Sequence, residues 1–165
     1  MFSKIQEANE LFEAHVPFSD AAFLILKAQL VIELQVLKFI KARTSSDLFD
    51  MIEKRPDFFT RVLLARALAE RDEISPLHAD ILWDALRLLG KLRNEVAHYL
   101  EHKGSSLEDR MALFIETMDP DGELFPRSLL SKDLHQNFRI AAFRLNSLLV
   151  INHEPFTLTN ETQSF

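Results

Sequence analysis

The sequence predicts an all-α fold, a compact helical bundle of six or seven helices. Apolar residues return every three or four positions along most of the chain, no segment sustains the alternation of a β-strand, and capping residues or prolines punctuate the runs. The 165 residues suit one domain with its own hydrophobic core, and no internal repeat or linker divides them. Residues 1–152 are expected to form that single helical domain. Residues 153–165, polar and rich in Thr and Asn, are expected to form a flexible C-terminal tail.

Ile5, Ala8, Leu11 and Phe12 share one face of a first helix over residues 3–14, which stops before Pro17. Ser19 is placed as the cap of a long second helix reaching about Ala42. Turning about 100° per residue puts Asp20, Lys27, Gln35, Lys38 and Lys41 on its polar side. Gln29 and Glu33 fall on the other side, among Ala22, Leu26, Leu30, Leu37 and Ile40. Thr44-Ser45-Ser46-Asp47 opens a short helix that ends near Pro56. Asp57 caps the next, Phe58 to Ala69, with Phe59, Val62, Leu63, Arg66 and Ala67 in register.

Ser75-Pro76 pairs a capping hydroxyl with a proline in the first turn, where its missing N–H costs little. The helix it opens should run to about His102, with Gly104 as its stop. Ser106 and Asp109 approximate a capping arrangement for a helix through Thr117, and Asp119-Pro120-Asp121-Gly122 reads as a turn. A last helix starts near Ser131 and reaches about Ile151, burying Leu134, Phe138, Ala141, Ala142, Leu145, Leu148 and Leu149.

Composition narrows the functional classes. The absence of cysteine removes disulfides, iron–sulfur clusters, thiolate zinc sites and cysteine nucleophiles, and a reducing cytoplasm is the expected setting. The N-terminal residues lack the features of a secretory signal, and the apolar segment 21–40 is interrupted by five polar residues, so no membrane span is expected. With 19 basic against 25 acidic residues the formal charge is −6, and direct DNA binding is not expected of such a chain. Fourteen phenylalanines, scattered without interleaved Arg and Lys, point to core and subunit packing. The six histidines have no accompanying carboxylate or cysteine at a metal-binding spacing, and three glycines leave no phosphate-cradling loop; neither a metal nor a cofactor is expected.

Chemistry concentrates on the helix opened by Pro76. In projection Leu82, Ala85, Leu86, Leu89, Leu92, Val96 and Leu100 form a broad apolar stripe, and Arg93 falls within it. A buried guanidinium needs an anionic partner because it does not shed its proton. Glu33, misplaced on the apolar side of the second helix, is the expected one, assisted by Gln29. Asn94 and His98 lie one turn apart on a flank, where a hydrogen bond between them would fix the imidazole tautomer; His98 suits proton transfer or an interface contact. Gly90 and Ala97, near Trp83, would permit close helix approach inside the bundle or across a homodimer.

The segments Phe59-Thr60-Arg61-Val62-Leu63-Leu64-Ala65-Arg66-Ala67-Leu68 and Leu89-Gly90-Lys91-Leu92-Arg93-Asn94-Glu95-Val96-Ala97-His98 resemble the mannitol operon repressor family. That family in turn resembles the wider HEPN class of helical domains. The resemblance spans roughly residues 20–102 and implies an HEPN-like core. Arg93, Asn94 and His98 fit the class pattern of Arg, a polar residue, three variable residues and His. For the repressor family it implies a non-enzymatic cytoplasmic regulator of transcription, a helical dimer working through a protein partner. For the nuclease members it implies metal-independent RNA cleavage, with Arg93, Asn94 and His98 as catalytic residues brought together across a dimer. Tyr99 and Glu101 depart from the extended Arg-x4-His-x-Tyr pattern of one toxin group, and the negative charge is unfavourable for gathering RNA.

Overall fold

A computed structural model describes residues 2–15, 20–54, 57–72, 79–98, 107–123 and 133–152. These form seven α-helices, with no strand among the described residues: α1 (Phe2–His15), α2 (Ala21–Lys41), α3 (Ser46–Lys54), α4 (Phe58–Arg71), α5 (Ala79–His98), α6 (Leu107–Met118) and α7 (Leu134–Ile151).

The elements start where short polar side chains can satisfy orphan amides. The Asp20 carboxylate accepts the Phe23 N–H at 3.0 Å, and Asp57 accepts the Thr60 N–H at 2.9 Å. At the turn after α6 the Gly122 N–H bonds the Asp119 carbonyl at 3.0 Å; Gly122 adopts φ 68°, a region open to glycine at no steric cost.

α2 is the axis of the bundle and packs against α7, α5, α4, α1 and α3; α6 lies against α5 and α7, and α1 against α7 and α2. The core combines Ile25, Ala28, Ile32, Val36 and Phe39 of α2 with Leu86, Leu89 and Leu92 of α5, Met111 and Phe114 of α6, and Phe138, Ala142 and Leu145 of α7. Phenylalanines supply much of it: Phe114 and Phe138 lie 4.9 Å apart, and Phe12 meets Phe143 edge-on at 5.7 Å. Each buried ring contributes about 1.5–3 kcal/mol.

A buried cation closes one end. Just past the C-cap of α2, Arg43 packs its guanidinium over the Phe39 ring at 3.8 Å with no side-chain surface exposed. It pairs with Asp72, the C-cap of α4, at 3.1 Å. It also donates to the carbonyls of Phe39 at 3.3 Å and of Asn152, the C-cap of α7, at 2.7 Å. Three helix C-termini, each carrying partial negative charge, thus converge on one guanidinium. Hydrogen bonding from Arg71 and the charges of Arg71 and Arg43 hold the Asp72 carboxyl below the usual carboxylate range. Burial lowers the pKa of Arg43, with Asp72 acting the other way.

Several sequence expectations change. Asp20, not Ser19, caps α2, because its carboxylate reaches the third helical amide. Gln35, assigned to the polar side, is fully buried, whereas Leu30, assigned to the apolar side, is exposed: α2 is surrounded by five helices, so its core face is wider than one stripe and rotated. On α4 the buried positions are Val62, Ala65, Leu68 and Ala69, and Phe59, Leu63, Arg66 and Ala67 face solvent. Apolar residues on both sides of α4 had hidden its register. The start at Ser75-Pro76, the stop at Gly104, the cap at Ser106, the start near Ser131 and the tail 153–165 lie outside the described residues. No described helix is long and apolar enough to cross a membrane.

Candidate functional site

The motif helix α5 is held by its apolar stripe. Leu82, Ala85, Leu86, Leu89 and Leu92 are buried, as their spacing predicts, and Trp83 joins them edge-on to Phe39 at 6.4 Å. Arg93 departs from this pattern. It is exposed, although its angle on the helix lies between those of Leu86 and Leu89. It lines a groove of about 500 Å³ that α5 shares with α2 and the start of α4.

Gln29 and Glu33 of α2, Asp57 through Phe59 and Val62 around the start of α4, and Leu86, Arg87, Gly90, Lys91, Arg93 and Asn94 of α5 line this groove. Its apolar part comes from Phe58, Phe59, Val62 and Leu86. Among the described residues its cations, Arg87, Lys91 and Arg93, come from α5.

The expected Glu33–Arg93 ion pair is replaced by another. The Glu33 carboxylate accepts a hydrogen bond from Arg61 of α4, and its second oxygen accepts from Gln29 Nε2 at 2.7 Å. Gln29 therefore does assist Glu33, but the cation is Arg61, whose second nitrogen also donates to the Glu53 carbonyl at the end of α3 at 2.9 Å. α4 and α5 both pack on α2, and it is α4 that carries its guanidinium to the misplaced acid. The sequence carries one signal for Arg61: on α4 it projects between the buried Ala65 and Leu68, as Arg93 projects between Leu86 and Leu89 on α5.

Arg93 instead donates from Nη1 to Asn94 Oδ1 at 3.1 Å, both residues being exposed. The bond uses one of the five guanidinium donors. Among the described residues the groove carboxylates, Glu33 and Asp57, are already engaged, the first with Arg61 and the second with its cap. The Thr60 N–H and hydroxyl hold the Asp57 carboxyl below its ordinary range. Cationic α5 residues beside an apolar floor can receive an anionic group carried on an apolar segment. Further along α5, Glu95 pairs with Arg110 and ties the helix to α6.

His98 is the last residue of α5, and its side chain lies outside the described residues, as do Tyr99 and His102. The structure therefore brings Arg93, Asn94, Glu33 and Gln29 to one groove, with Glu33 and Arg93 in separate pairs. Gly90 serves packing inside the chain: a Cβ there would lie 3.0 Å from Phe58 Cδ1, so the bare backbone lets the Phe58 ring rest on α5. Trp83 is likewise buried within the bundle. Among the described residues no group of three or more potential ligands is placed to hold a metal ion. Comparison with protein-family models, with curated proteins and with solved structures finds no match for this chain.

Proposed function

We propose that the protein is a non-enzymatic cytoplasmic regulator of the mannitol operon repressor type, a helical dimer acting on transcription through a protein partner. The observation that carries this reading is the groove beside Arg93, whose apolar floor and cationic rim have the make-up of a protein-contact site. An incoming segment would set an apolar side chain against Phe58 and Phe59 and a carboxylate against Arg93. The overall negative charge argues for protein rather than nucleic acid as the immediate partner.

A second reading, a metal-independent HEPN-type endoribonuclease, is favoured by the exposure of Arg93, which leaves the guanidinium available to a phosphate. One pair of experiments separates them. Purified protein is incubated with single-stranded RNA in the presence of EDTA, alongside Arg93→Ala and His98→Ala. In parallel, transcripts are sequenced from cells carrying the gene deletion or the Arg93→Glu allele. The regulatory reading expects no cleavage, and the same transcripts changed in both strains. Cleavage by the wild type that both alanine variants abolish would replace it with the nuclease.

A further inference from the structure

The most apolar helix of the bundle leaves one face uncovered. Along α2, Leu30 is 58% and Leu34 41% exposed, and Lys38 and Lys41 continue the same face toward its C-terminal end. Helical projection places all four within about 80° of one another. The only acid of α2, Glu33, is occupied by Arg61. Lys38 and Lys41 have no ion pair among the described residues, and Lys41 sits over the Phe49 ring at 5.2 Å, which joins the face to α3.

The neighbouring α3 presents the opposite chemistry. Its exposed charged residues are Asp47, Asp50, Glu53 and Lys54, a net acidic set without an ion pair among the described residues, and its exposed apolar ones are Leu48 and Met51, at 46% and 65% exposure. A basic, apolar face on one helix therefore adjoins an acidic, apolar face on the next. A two-fold axis makes such a surface self-complementary, since each patch meets the other's counterpart twice.

We propose that this α2–α3 surface is the interface with a second copy of the chain. Lys38 and Lys41 face Asp47 and Asp50 of the partner subunit, while Leu30 and Leu34 pack against Leu48 and Met51 of the partner subunit. Charge decides in favour of this occupant: an α2-on-α2 contact alone would supply only lysines to meet lysines, and α3 brings the missing acids. The inference rests on the dimer in the functional reading above and moves its interface away from α5, where Gly90 and Trp83 are engaged inside the chain.

The test is sedimentation of the full chain at micromolar concentration, with circular dichroism to check folding. Wild type is expected to be a dimer. Lys38→Glu/Lys41→Glu and Asp47→Lys/Asp50→Lys should each set like charges together and raise the dimer Kd by about a hundredfold or more. An equimolar mixture of the two variants should recover dimers, because each supplies the charges the other now needs. If both variants remain dimeric, or their mixture stays monomeric, this interface is wrong although the dimer survives. A wild type that is monomeric removes both the interface and the dimer on which it rests. A monomer that instead pellets with phosphatidylglycerol vesicles assigns the face to a lipid surface and likewise overturns the proposal.

Discussion

Arg43 and Arg93 place the same guanidinium in opposite surroundings. At the end of α2, Arg43 is stripped of water and held by Asp72, two carbonyls and an aromatic ring. At the groove, Arg93 is exposed and held by one neighbouring amide. Burial makes the first charge dependent on every partner around it, so it serves the fold. Exposure leaves the second with donors to spare at little cost to folding, so it can serve a ligand.

Arg43→Ala should lower stability by about 3–5 kcal/mol in urea denaturation, because it takes the guanidinium from the Phe39 and Asn152 carbonyls and from one Asp72 oxygen, while Arg71 still bonds the other. Arg43→Lys should restore little, since an ammonium cannot reproduce the fork that reaches two carbonyls and a carboxylate. A loss under 1 kcal/mol for Arg43→Ala, on the order of an ordinary surface substitution, would end the claim that this end of the bundle depends on it.

Asp72→Asn should lower stability by about 1–3 kcal/mol at neutral pH. The folded-state pKa of Asp72 lies below its ordinary value, so its contribution is complete above that ordinary value and is lost as pH falls through the lower one. Denaturation curves at neutral and strongly acid pH should therefore differ less in the variant than in the wild type. Equal pH dependence in the two would show that Asp72 is not a source of acid sensitivity.

A double-mutant cycle sharpens the contrast at the groove. Glu33→Gln with Arg61→Ala should show a coupling of about 1 kcal/mol, as expected for a partly buried ion pair, whereas Glu33→Gln with Arg93→Ala should be additive. The smallest effect belongs to Arg93→Ala itself, within about 0.5 kcal/mol of wild type by thermal or urea denaturation. A larger loss would return Arg93 to an architectural role.

What the sequence disclosed and what it hid follow one physical line. The buried stripe of α5 was legible because five leucine and alanine positions repeat at the helical period and a neighbouring helix must cover them. The exposure of Arg93 was not, because a helical projection gives the angle of a residue but not how far along the axis its neighbours extend. Arg61 was readable by the same projection, on the buried side of α4. Arg43 was not: it sits in the turn beyond Ala42, where periodicity no longer applies and only the convergence of three chain segments reveals its role. The Asp57 cap was legible from one residue, since capping is local.

The contact between Gly90 and the Phe58 ring makes the dimensions of the groove a matter of single atoms. A methyl at position 90 must lift the ring by a few tenths of an ångström. Substitution at this one site can therefore retune what the groove admits without touching the guanidinium clasp beyond the C-terminal end of α2.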